Sequence, residues 1–170
     1  MTNFAYKNYK TNIFMKPNIG ITQKHLDNSV KILSVVLADE VMLYTKTRKF
    51  HWNVNGNSFM ELHKLFEEQY NALEQIIDEV AERINQLGGK TIGTMKEFLD
   101  HTNLVESPNV YPNQKEMLAE LLSDNEKITI SLRGDITKCE ENEDAGSADF
   151  LTGLLKEHEK AAWVLRRYLS

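Results

Sequence analysis

Only three prolines occur in the 170 residues, at positions 17, 108 and 112, so the chain from 18 to 107 contains none. Proline removes a backbone donor and clashes with the preceding helical turn, so its scarcity favours long, uninterrupted helices. The apolar residues follow the same rule. Val30, Leu33, Leu37, Val41 and Tyr44 recur at spacings of three and four, the period of one helical face, and predict a first helix from about Thr22. Gly56 between Asn55 and Asn57 marks a turn. Ser58 followed by Glu61 predicts a capping box that opens a second helix, and Gly88-Gly89 stops it after Leu87. Thr94 with Glu97 opens a short helix, and Asn113 with Glu116 opens a third long one carrying Leu118, Leu121, Ile128 and Leu132. A break near Asp144–Gly146 precedes a last helix with Leu151, Leu154, Leu155, Ala162 and Leu165 on its apolar side.

Four long helices and one short helix predict an all-α four-helix bundle. The link between long helices 2 and 3 is about two dozen residues with the short helix inside it. That length predicts a crossover, which is ferritin-like connectivity rather than simple up-down-up-down. Residues 1–21 are polar and irregular and read as a flexible N-terminal arm, with the bundle domain spanning 22–170. A single cysteine, Cys139, excludes an intramolecular disulfide framework and any multi-cysteine metal site. With 25 acidic and 20 basic residues the net charge is −5, which argues against a surface devoted to nucleic acid but leaves room for a local basic arm. No apolar run approaches the ~18 residues of a membrane span, and no apolar signal core opens the chain, so a cytoplasmic protein is expected.

The chemical signal lies between residues 51 and 82. His51 falls at the end of helix 1, and helix 2 carries His63, Glu67, Asp78 and Glu82. At ~100° per residue these four fall at roughly 0°, 40°, 60° and 100°, a single stripe. Imidazole and carboxylate donors suit iron, and also zinc or manganese. However, His63 and Asp78 are separated by about 22 Å along the helix, too far for one ion with bonds near ~2 Å. The four positions are symmetric about 72.5. Two copies of helix 2 packed antiparallel across a two-fold axis would bring His63 to Glu82 of the partner subunit and Glu67 to Asp78 of the partner subunit. Such a pairing builds two equivalent sites, each shared between chains, with His51 completing each. Taken singly, an acid on a helix is usually part of a solvated face. His25, His101 and His158 lack ligand-like neighbours and read as structural, and Trp52 reads equally well as packing.

The run from Thr45 to Gly89 resembles the signature of the Dps family, the mini-ferritins also called DNA-binding proteins from starved cells. The matching pieces are His51-Trp52-Asn53, Gly56, Phe59, Leu62-His63, Asp78-Glu79, Ala81-Glu82-Arg83 and Gly88-Gly89, and residues 147–169 resemble the family's last helix. The resemblance covers about residues 22–170. It implies a ferritin-like bundle assembled as a hollow dodecamer. At each two-fold interface His51 and His63 of one chain would bind iron with Asp78 and Glu82 of the other. Fe(II) would be oxidised there, typically with hydrogen peroxide, and stored as ferric mineral, protecting the cell and its DNA. The family's fifth ligand is commonly Asp; here Glu67 stands in its place and is one methylene longer. Trp52 would lie beside the site as a trap for stray oxidising equivalents.

Two further features follow from the same resemblance. The acidic run around Glu140–Asp149 would line threefold pores that draw cations inward, with Asp144 and Asp149 as the candidates. The arm carries Lys7, Lys10 and Lys16 among Phe4, Tyr6, Tyr9 and Phe14. Twelve such arms could hold DNA non-specifically through many phosphate contacts, the alternative function being a DNA-compacting, nucleoid-associated protein.

Overall fold

The computed structural model describes residues 16–170. It contains five helices: α1 (Gln23–Asn53), α2 (Phe59–Gln86), α3 (Met95–His101), α4 (Gln114–Glu141) and α5 (Ala145–Leu169). No strand occurs among the described residues. Helices α1 and α2 form one hairpin and α4 and α5 the other, joined by a crossover that holds α3 against α1. This is the expected four-helix bundle with ferritin-like connectivity. Leu33, Leu37, Phe66, Ile84, Leu121, Leu132, Leu151 and Leu165 are fully buried at its centre. No described helix is long and apolar enough to cross a membrane.

Helix ends obey their local chemistry with one exception. Thr94 with Glu97, and Asn113 with Glu116, form both bonds of a capping box. Ser58 does not: its side chain makes no cap bond, and Glu61 instead accepts a hydrogen bond from the Tyr168 hydroxyl at 2.9 Å. A partner on another helix has displaced the local one. Helix α2 ends in a Schellman motif, with Gly88 N–H donating to Asn85 O and Gly89 N–H to Ile84 O. Gly88 is required twice over. Its φ is +80°, and a Cβ there would meet the Pro17 ring at 2.7 Å. Pro17 therefore lies on the bundle and Ile21 packs against the core. Lys7 and Lys10 lie outside the described residues, whereas Lys16 is exposed.

The crossover is tied down by polar groups of α1. Asp39 accepts from Thr102 Oγ1 at 2.7 Å and Asn103 N at 2.6 Å. Lys46 donates to Val105 O at 2.9 Å and pairs with Glu120 at 2.8 Å and Asp124 at 2.5 Å. Burial pushes the Asp124 carboxyl above its usual range, against the opposing pull of Lys46. Lys49 donates to Ser107 O at 2.7 Å. The Lys46 and Lys49 bonds tie the last turns of α1 to the crossover.

Candidate metal centre

His51 comes from the last turn of α1 and His63 from the second turn of α2, on either side of the tight Gly56 turn. Gly56 has φ +105°, a conformation that lets the chain reverse so sharply. The two imidazoles stack with centroids 3.7 Å apart. Each is locked by the other's backbone: His51 Nδ1 lies 2.8 Å from His63 O, and His63 Nδ1 lies 3.0 Å from His51 O. A carbonyl can only accept, so both Nδ1 atoms carry the hydrogen, and in the neutral tautomer that this selects the lone pair is on Nε2. Neither Nε2 has a partner among the described residues. Ligation through Nε2 uses this tautomer, and a backbone carbonyl on Nδ1 is one of the partners that fix it. His51 as a whole is only 8% exposed. Phe59 packs on His63 at 5.2 Å, and Tyr70 meets His51 edge-on at the same distance.

Glu67, Asp78 and Glu82 lie exposed along the outer face of α2, and none forms an ion pair among the described residues. No three His, Cys, Asp or Glu side chains of the described chain come together to hold a metal ion. One chain therefore gathers the two histidines and leaves the acids apart. Trp52 is not a core residue: it is 66% exposed, with the Arg48 guanidinium 5.3 Å from its ring. Arg48 also lies 4.8 Å from the Tyr70 ring and donates to the Tyr44 hydroxyl.

The pore candidates separate. Asp149 is exposed. Asp144 is fully buried: its Oδ1 caps α5 through Ser147 N at 3.0 Å and pairs with Arg83 Nη2 at 2.8 Å. Burial alone would raise its pKa, but Ser147, Ser29 and Arg83 outweigh it and hold the carboxyl below its usual range. Asp144 is thus a helix cap and ion-pair partner in the folded chain, not a free pore acid. Cys139 is buried and its thiol is pushed up to about 11, chiefly by burial, which leaves it unreactive.

One polar cluster escaped the sequence reading. His158 is buried between Glu40 and Asn125, with Nε2 2.8 Å from Glu40 Oε1 and Nδ1 3.0 Å from Asn125 Oδ1. Asn125 gives its amide hydrogen to Leu121 O at 2.8 Å, so its oxygen must face the imidazole. Burial lowers the His158 pKa, but the Glu40 carboxylate outweighs burial and the net shift is upward. A signal was available: Glu40 and His158 both interrupt apolar stripes, His158 four residues after Leu154 and four before Ala162.

A ferritin-like domain model matches residues 30–170, and the chain belongs to the ferritin-like proteins. Within that class it is a member of the Dps family. It is 42% identical over 154 residues to an uncharacterized low temperature-induced protein of a Nostoc strain, covering 90% of this chain and 86% of the relative. It is 37% identical over 142 residues to DNA protection during starvation protein 2 of Bacillus anthracis, covering 83% of this chain and 96% of that one. Among solved structures, DpsC from Streptomyces coelicolor superposes with a TM-score of 0.88 at 29% identity, covering 92% of this chain and 91% of its own.

Proposed function

We propose that this chain is an iron-sequestering mini-ferritin that oxidises Fe(II), preferentially with hydrogen peroxide, and stores the ferric product inside a hollow dodecamer. Membership of the Dps family supports iron storage and protection from stress. The observation that carries the finer reading is the reciprocal lock of the stacked His51 and His63 rings, which leaves the Nε2 of each without a partner among the described residues. Asp78 and Glu82 complete the ligand set from a partner subunit, and Glu67 adds a fifth ligand, the third carboxylate, beside the histidines. Iron is the substrate. Imidazole nitrogen binds Fe(II), and the carboxylates favour the harder ferric product and let it leave toward the core.

The electron count fits a site that holds two ions. Two Fe(II) each give one electron to one hydrogen peroxide. Two protons are taken up, the O–O bond breaks, and two Fe(III) and two waters result. A paired transfer releases no hydroxyl radical, which is what protects nearby DNA. The protein supplies ligand geometry and a surface on which both ions stand ready. Exposed Asp149 draws cations toward the interior, and Trp52, unpacked and near His51, accepts stray oxidising equivalents.

The test is anaerobic oxidation of Fe(II) by peroxide, followed optically, in wild type and in a His51→Ala/His63→Ala variant. Loss of both histidine ligands is expected to reduce oxidation to the rate of Fe(II) and peroxide without protein. Equal rates in the two proteins would refute the site.

A further inference from the structure

The bundle is not closed evenly. Helix α1 packs along α2, and α4 along α5, but α2 and α5 scarcely touch. Between them lies a crevice of about 380 Å³, within the range of roughly 300–1,000 Å³ that small-molecule sites occupy. Small side chains face it from both walls, Ala72 on α2 and Ala161 on α5. Leu43 and Leu73 are buried at its inner end. Its α2 wall of Leu65, Ala72 and Ile76 is turned by roughly 130° round the helix from Glu67, Asp78 and Glu82, so the crevice is separate from the metal ligands. Two polar features mark its ends. Asn125, only 4% exposed, lines the inner end. It gives one amide hydrogen to Leu121 O, and its second has no acceptor among the described residues. A buried donor left unspent costs free energy, and an apolar slot holds water poorly. At the mouth, Glu68 and Glu79 of α2 and Glu157 of α5 are all exposed, and the only base lining the crevice is Lys160, 3.9 Å from Glu157.

We propose that the α2–α5 crevice is a binding site for a small organic cation with an aromatic body, an arylalkylammonium. The ring lies between Ala72 and Ala161 against the apolar walls, and its face accepts the spare Asn125 N–H. The ammonium stays at the mouth, where three carboxylates stand against one base. That excess of negative charge selects a cation over an anion of the same shape. The inner end does not oppose it, because the His158 charge is balanced by Glu40. The burial of the ring supplies the affinity and the mouth supplies the choice of charge. The site shares no side chain with the metal centre, so it stands or falls independently of the ferroxidase reading.

The experiment is a ligand-observed NMR titration of the full chain, kept free of metal, with three probes of one shape: 2-phenylethylammonium, uncharged 2-phenylethanol and anionic 3-phenylpropionate. Wild type is expected to bind the ammonium with a Kd in roughly the millimolar range. It should bind the alcohol about fivefold more weakly, the weight of one screened charge contact at the surface, and the propionate more weakly still. Ala161→Phe fills the crevice and is expected to weaken ammonium binding about tenfold or more. Ala72→Phe does the same from the exposed wall, where the fold tolerates a larger side chain, and circular dichroism checks the helices of both. Glu68→Gln/Glu157→Gln is expected to erase the preference for the ammonium while leaving the alcohol unchanged. No saturable binding to wild type overturns the proposal, as does equal affinity for the three probes. Binding that survives in both phenylalanine variants with their helices intact places the ligand elsewhere and overturns it too.

Discussion

Two histidine clusters in this bundle show opposite ways of using the same side chain. In the core, His158 is closed: both ring nitrogens bond side chains of the same chain, Glu40 on α1 and Asn125 on α4. At the end of the α1–α2 hairpin, His51 and His63 are open: each bonds one carbonyl and keeps one nitrogen free. The closed cluster ties three helices together and has no ring nitrogen left for a metal. The open cluster is rigid at Nδ1 and unfinished at Nε2. Burial does not separate them, since His51 and His158 are both buried. The difference lies in which atoms still lack a partner.

The comparison breaks most sharply under single truncations. Glu40→Ala leaves a buried imidazolium without its carboxylate and is expected to cost about 3–5 kcal/mol of stability in urea denaturation, with little change in Mn(II) affinity of the folded protein. His63→Ala is expected to do the reverse. It removes one hydrogen bond worth about 1 kcal/mol, yet abolishes most metal retention measured by dialysis. If both substitutions moved both quantities alike, the distinction between closed and open clusters would fall.

Acidity sharpens the same comparison by a smaller amount. The folded His158 pKa is raised above its unfolded value of about 6.5, so its contribution is fully present below that pH. The contribution is lost as pH rises through the raised folded value. Wild type minus His158→Gln stability, measured by denaturation between pH 5 and 9 (roughly the span over which histidine titrates), is therefore expected to be largest at the acid end and to decline with rising pH. A flat difference would mean that the pair is not ionic.

Much of this architecture was legible because it is local. The capping boxes at Thr94 and Asn113 need only residues three apart, and Gly88-Gly89 encodes its own Schellman turn. The site was partly legible for a related reason. The interval from His51 to His63 spans one tight turn, and the acids on α2 share one helix, so spacing alone places them. What spacing could not carry was partnership across the fold. Glu61 looked like half of a capping box but bonds Tyr168, 107 residues away. Asp144 looked like a free acid near a helix start, which a pore group and an N-cap share equally; the bond to Ser147 and the pairing with Arg83 decide between them. Glu40 and His158 are 118 residues apart, and only the packed bundle reveals that each compensates the other.

The shared site can be tested by mixing two crippled subunits. One variant carries His51→Ala/His63→Ala and the other Asp78→Ala/Glu82→Ala; each alone should be inactive in peroxide-driven Fe(II) oxidation. When the two are unfolded, mixed equally and reassembled, half of the two-fold pairs are mixed, and each mixed pair has one intact site and one doubly broken site. The expected result is recovery of about a quarter of wild-type activity. A mixture as inactive as its two parents would contradict a site built from both chains.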